Sequence, residues 1–453
     1  MKGKHEAIEP ATGAMAFGGK IANSIAQVRL NTKLSASSDD GLQSWYPYYA
    51  GYSEQFAEGI VRAAGSDGTL RILDPWNGSG TTTRAGHALG HQVVGFDINP
   101  VTLLVASAKL ANPDDVKHIQ GLASRFISRP DRVRPSVNDP LLRWLPTAIV
   151  GKYRAIEDQI ISELATDENG RAVDSRSETL PPLAAFLLLA LLRAAKSLAA
   201  VKNSSNPTWK RPSGDILPAR SRQFSVLWIE ALRSMASDLQ SARGTDLGGG
   251  QQTTLALSTS RSLPVVDDSI DLIVTSPPYC TRIDYFVSSA FEIAALKIDE
   301  NGQEYRALRQ AAMGTNLSRS AAASHIPLTW PDSVKVLLSA IRQHPSKASG
   351  TYYLKTYAQY FGDCMQSLSE ISRVLRPGGA AALVVQDSYY KDIHVDLPKL
   401  YVDCGASIGL VGKVTSSLRV SHALAQINSK SRKHQDHKRY VESVVVLEKP
   451  LLS

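Results

Sequence analysis

Residues 70–100 read LRILDPWNGSGTTTRAGHALGHQVVGFDINP. RILD is a short apolar run ending in an acid, and PWNGSG is a glycine turn. TTTRAGHALG follows with a helical pattern, and QVVGFDI is a second apolar run that again carries an acid. Strand, turn, helix and strand within about thirty residues make one β-α-β unit. That alternation predicts a parallel sheet covered by helices. Glycines let the turn backbone come close to a ligand, and the helix that follows offers unpaired N–H groups. Asp97 lies seventeen residues beyond Gly80, where a carboxylate accepts hydrogen bonds from ribose hydroxyls in nucleotide-binding sheets. The turn is not G-x-G-x-x-G, so a pyrophosphate is not its natural ligand. An adenosine without phosphates suits it better, with Asp74 ending the first strand beside it. A glycine turn after a strand is common in α/β proteins of any function; the whole set of features points to a nucleoside.

A second sharp stretch lies far downstream. IDLIVT (270–275) reads as a strand and runs into Ser276-Pro277-Pro278-Tyr279. Prolines fix φ and remove N–H donors. What remains exposed is acceptors: the Ser276 and Pro277 carbonyls and the Ser276 hydroxyl, beside the flat face of Tyr279. If this corner ends a strand of the same sheet, it faces the ligand of the glycine turn, because open α/β sheets bind at their carboxyl ends. Acceptors beside an aromatic plate suit a planar ring with an exocyclic amine. The ring stacks, the amine donates its hydrogens, and its nitrogen turns toward an electrophile held opposite. Near-attack positioning of this kind contributes about 7–11 kcal/mol.

These residues resemble the S-adenosylmethionine-dependent, amino-directed DNA methyltransferases. Asp74-Pro-Trp-Asn-Gly-Ser-Gly-Thr-Thr82 is similar to their cofactor motif, DPFxGSGTT, with Trp76 in place of the phenylalanine. Thr275-Ser-Pro-Pro-Tyr279 is similar to their catalytic motif, and the likeness spans roughly 43–110, 253–285 and 352–450. The resemblance implies an α/β, Rossmann-like class I methyltransferase sheet with helices on both faces and a large, mostly helical insertion. It implies S-adenosyl-L-methionine as cofactor, held by Tyr48, Asp74, Pro75, Trp76, Asn77, Gly78, Ser79, Gly80, Thr81, Thr82, Asp97 and Ile98. It implies Ser276, Pro277, Pro278 and Tyr279 as the catalytic corner, acting on a base flipped from double-stranded DNA, since a stacked amine cannot reach a pocket. Serine at the first position of the corner points to N4 of cytosine; N6 of adenine, an RNA amino-methyltransferase and a silent nucleic-acid-binding relative are the alternatives. Carbon-5 chemistry does not fit, because Cys280 follows Tyr279 and the Pro-Cys pair is missing. A cognate restriction endonuclease is an implied partner.

The remaining text sets boundaries. Residues 1–40 read as an N-terminal arm, 41–110 as the cofactor half, 111–252 as an insertion and target-recognition region, and 253–453 as the catalytic half with a polar insertion at about 290–350. Net charge is +8, which leans toward a polyanionic partner. Candidate DNA contacts are Trp209 and Lys210 in NPTWKRP, the arginines of SRPDRVRP (128–135), Arg432 and Lys433 in SRKHQDHKRY, and Arg282 with Asp284 just past the corner. Any one of these also reads as a solvated loop. Three scattered cysteines without CxxC spacing predict neither a disulfide scaffold nor a cysteine metal site, and no metal is expected. The N-terminus lacks the apolar core of a signal peptide. The apolar run Leu183–Leu192 is ten residues long, against about 20 for a membrane span. A cytoplasmic setting is expected.

Overall fold

The computed structural model describes residues 7–8, 17–29, 31–32, 41–46, 51–66, 68–128, 133–202, 210–216, 218–242, 252–280, 284–315, 317, 326–420 and 440–451. Ten strands occur among them: β1 (Ala7–Ile8), β2 (Arg71–Asp74), β3 (Gln92–Asp97), β4 (Thr253–Leu257), β5 (Ile270–Thr275), β6 (Leu375–Gln386), β7 (Ser388–Tyr390), β8 (Ile393–Val395), β9 (Val411–Val420) and β10 (Tyr440–Glu448). Eight of them form one sheet in the order β1-β9-β10-β6-β5-β2-β3-β4, and β7 and β8 pair as a small ribbon. The run from β6 to β4 is parallel. β10 lies antiparallel between β6 and β9. This is the Rossmann-like sheet of class I methyltransferases, with β10 reversed inside it and the two-residue β1 antiparallel at its edge.

From β2 the chain winds outward through β3 and β4, then returns to β5 on the other side. The direction of winding therefore reverses between β2 and β5. The loops after these two strands leave in opposite senses and open a crevice at their carboxyl ends, where such sheets bind ligands. Parallel strands buried on both faces are continuous apolar runs, and both faces are covered here. Ile72, Leu272, Val274, Ala380 and Ala382 meet Phe56, Ile60 and Val61 of the helix Glu54–Ala64. Leu73, Ile273, Ala381 and Leu383 meet Phe361, Leu368 and Ile371 of the helix Leu354–Val374.

The insertion is helical, as expected, with long helices at Thr147–Leu164, Pro182–Ser197 and Ser221–Ser241. Pro181 precedes the second of these and Pro182 opens it, where a missing N–H leaves no bond unmade. Leu187, Leu189, Phe186, Phe224 and Trp228 form a core that runs on into Val101 and Val105 of the sheet helix Pro100–Ala108 and into Phe291. The insertion thus shares one core with the helices beside β3.

Parts of the N-terminal arm are built into the fold. β1 pairs with β9, and Phe17, Ile21 and Ile25 are buried on the sheet. The Gly18 and Gly19 N–H groups donate to the Glu448 carboxylate. Arg376–Gly379 lies in β6, directly after the helix that ends at Val374, with Gly378 at φ +76°. No described helix is long and apolar enough to cross a membrane.

Candidate active site

Adjacent parallel pairing of β2 with β5, Ile72 to Leu272 and Leu73 to Ile273, brings the glycine turn and the proline corner side by side at one end of the sheet. The crevice there holds about 1050 Å³, its open mouth included, and its walls include Pro75, Trp76, Asp97, Ile98, Ser276 and Pro278. These six come from the turn, the end of β3 and the corner. Sequence reasoning named all of them.

Asp97 half-faces the crevice. One of its oxygens accepts the Gly78 N–H at 2.8 Å and the other the Asn99 N–H at 2.9 Å. Burial raises its pKa above the ordinary carboxylate value. Thr102 and the Ile98 N–H also bond this carboxylate, and Asp97 stands in the wall of the crevice. Ser276 Oγ donates to the Val384 carbonyl of β6 at 2.9 Å. With its proton directed at the sheet, the hydroxyl presents lone pairs to the crevice. Pro277 is buried, and the Pro278 carbonyl accepts the Tyr360 hydroxyl at 3.1 Å. Tyr279 is half-buried; its N–H points to the Tyr285 hydroxyl at 3.4 Å. The corner is thereby held from three directions.

Other residues of the cofactor motif lie behind the crevice and brace it. Asp74 is buried and accepts from Thr275 Oγ1 at 2.6 Å, from the Trp76 N–H at 3.1 Å and from the Tyr52 hydroxyl at 3.3 Å. Burial pushes its pKa up to about 7 despite these donors. Burial also raises the Tyr52 phenol well above its usual range. Thr82 Oγ1 donates to the Val274 carbonyl at 2.9 Å and bonds Tyr52. Asn77 Oδ1 accepts the Thr83 hydroxyl, and the Asn77 N–H bonds the Phe96 carbonyl at 2.8 Å. Gly78, Ser79, Gly80 and Thr81 are buried. Gly80 sits at φ +82°, and a Cβ there would lie 2.7 Å from the Ala106 Cβ. The glycine is required where the turn meets the helix Pro100–Ala108.

Tyr46, in the aromatic segment Tyr46–Tyr52 that the resemblance sets over the cofactor, is also in the wall, and several wall residues carry no local signature: Lys196, Ser258–Arg261, Tyr285, Phe286 and Met313. Of the basic candidates, Lys210 lines the crevice. Lys196 lines it too, paired to Glu292 with its ammonium 5.7 Å from the Tyr46 ring. Tyr48, Trp209, Arg282, Arg432 and Lys433 lie outside the described residues. Asp284 is occupied. It caps the turn at Tyr285–Ser288 and pairs with Arg309, so it is not poised for a nucleotide. Asp387 accepts the Val441 N–H and His394, both at 2.8 Å, a structural role at the end of β6. Cys280, Cys364 and Cys404 are free and buried. Among the described residues no cluster has the makings of a metal site.

Sheet order defines the class, an α/β domain with the Rossmann-like class I methyltransferase fold, and the crevice opens at the carboxyl ends of its strands. The curated relatives are more particular. The chain is 23% identical over 317 residues to the Type II methyltransferase M.BsoBI of Geobacillus stearothermophilus, covering 63% of this chain and 58% of that protein. It is 20% identical over 400 residues to the Type II methyltransferase M.AvaI of Nostoc sp., covering 81% of this chain and 78% of that one. It therefore spans a little over half the length of M.BsoBI. No family model matches. Solved structures align loosely. The YcgJ protein from Bacillus subtilis gives a TM-score of 0.31 at 9% identity, over 87% of this chain and 99% of that one. The rRNA methyltransferase aviRa from Streptomyces viridochromogenes gives 0.28 at 12%, over 91% and 94%. The strand order, not these alignments, carries the fold.

Proposed function

We propose that the protein is a site-specific DNA methyltransferase that transfers the methyl group of S-adenosyl-L-methionine to N4 of a flipped cytosine. The observation that carries this reading is the side-by-side placement of the glycine turn and the proline corner on the paired strands β2 and β5, with Asp97 between them and the outer strands. The similarity to two Type II methyltransferases supports a DNA substrate. A cognate endonuclease belongs to the same reading.

The cleft fits the cofactor. Asp97 is the carboxylate in the wall for the ribose diol, while Pro75, Trp76 and Ile98 offer apolar and aromatic walls for adenine. When bound, the cofactor supplies an electrophilic methyl on a sulfonium. Ser276 Oγ, its own proton held by Val384, accepts one hydrogen of the target amine. The Ser276 carbonyl takes the other. Tyr279 stacks on the ring and fixes its plane. Tyr285 and Tyr360 hold the corner from behind, which keeps these acceptors in register. Serine at position 276 favours cytosine.

The test is direct. Duplex DNA incubated with protein and cofactor is digested to nucleosides and weighed by mass spectrometry, and N4-methylcytosine is the expected product. N6-methyladenine would keep the enzyme and overturn the base assignment; transfer to tRNA alone would overturn the DNA reading. Tyr279→Ala is expected to lower transfer at least about 100-fold while cofactor affinity stays within about twofold, because only the target ring loses its plate.

A further inference from the structure

We propose that Arg154, on the insertion helix Thr147–Leu164, is a positioning residue for the catalytic corner, a role that rests on the methyl-transfer reading above. Its side chain is 4% exposed. A guanidinium has five N–H donors, and all five are used. Nε and Nη2 grip Asp139 at 2.7 and 2.8 Å. Nη1 bonds Glu157 at 2.9 Å and the Ala295 carbonyl at 2.6 Å, and Nη2 reaches the Ala294 carbonyl at 3.3 Å. The two carboxylates balance the charge and explain how it tolerates burial. The two carbonyls are what point to a further role.

Ala294 and Ala295 end the short helix Ala290–Ala295. Final helical carbonyls have no partner within their own helix; Ala294 accepts the Lys297 N–H at 3.1 Å as well as Arg154, and Ala295 is held by the guanidinium of the insertion. A separate helical turn, Tyr285–Ser288, and then Ser289 lead directly into this helix. Tyr285 receives the Tyr279 N–H, and Ser289 receives Asn99 Nδ2 at 3.4 Å from the loop after β3. Residues 285–295 therefore form a bridge. The stacking tyrosine and the cofactor-side loop hold one end, and the guanidinium holds the other. Phe291 against Trp144 (5.7 Å between ring centres) and Glu292 against Lys196 fasten its middle to the insertion. Arg154 fixes where the bridge ends, and so where Tyr285 meets Tyr279. Lysine carries a point charge and three donors; it cannot grip Asp139 with two nitrogens and reach two carbonyls as well.

Arg154→Lys in the full chain is expected to lower kcat at least about tenfold at saturating duplex and cofactor, with cofactor affinity unchanged by calorimetry. Leu232→Ala serves as the control. It sits on the helix Ser221–Ser241, which packs chiefly on the other insertion helices, and the substitution is expected to lower the melting temperature while leaving kcat within about twofold. If Arg154→Lys leaves kcat intact, or if both variants lose kcat in proportion to their stability, the positioning role is overturned. Should Arg154→Lys fail to fold, Asp139→Asn loosens the guanidinium without removing it and is expected to give an intermediate loss of kcat; an unchanged kcat there overturns the proposal equally. A wild-type protein without transfer on any duplex would sink the underlying reading, a result separable from any effect of Arg154.

Discussion

Asp74 shows how one residue can belong to a ligand motif without facing the ligand. It ends β2, touches Thr275 at the end of β5 and holds the two loops at a fixed spacing. Its pKa of about 7, raised by burial, has a consequence for stability. The native state binds this proton more tightly than the unfolded chain, whose aspartate titrates near 3.9. The contribution is therefore complete below about pH 4 and is lost as pH rises through about 7. An asparagine side chain accepts the same hydroxyl and cannot ionise. Asp74→Asn should gain on the wild type between pH 4 and 8, by up to about 4 kcal/mol at 1.36 kcal/mol per pKa unit. Urea unfolding at pH 5 and pH 8 measures the gap; a gap equal at both values would show that Asp74 ionises as freely folded as unfolded.

Elements were legible where they carry a period. RILD, QVVGFD and IDLIVT read as strands because apolar and β-branched residues run unbroken between turn residues, and they are β2, β3 and β5. The crevice walls they carry, Pro75, Trp76, Asp97, Ser276 and Pro278, were legible for the same reason: each sits directly at a strand end. Lys196, Tyr285 and Met313 were not, because each reaches the crevice through packing of elements distant in the text. The packed N-terminal pieces were hidden too. β1 is two residues long, and the anchoring of Gly18 and Gly19 depends on Glu448, more than 400 residues away. The helix Pro182–Ser197 is apolar on every side and buried on every side, as such helices are. Leu189, fully buried, makes a sharp probe. Leu189→Ala should remove 2–5 kcal/mol of stability, about the range for a large core truncation, read by chemical denaturation. A loss under about 1 kcal/mol would mean that this core repacks freely.

At the scale of the molecule, the net charge of +8 is spread over many solvated side chains, and the crevice concentrates Lys196, Lys210 and Arg261 at its walls. Lys196 and Arg261 already pair with Glu292 and Asp363. Lys210 has no such ion pair among the described residues, and on the proposed DNA reading it is the cation offered to a duplex phosphate. Duplex affinity should fall with added salt, and Lys210→Gln should flatten the log–log slope by about 0.9, the share of one phosphate. An unchanged slope would remove Lys210 from the DNA surface. The strand order has one more outcome, felt as the chain leaves the ribosome. Ile72 pairs with Leu272, a neighbour synthesised 272 − 72 = 200 residues later. At about 5–20 residues per second that interval lasts roughly 10–40 s. For that time β2 and β3 wait beside an unfilled place, while the helices translated between them already have apolar partners in one another. The centre of the sheet stays open until β5 emerges, and the proline corner arrives with that strand, ahead of β6, β9 and β10.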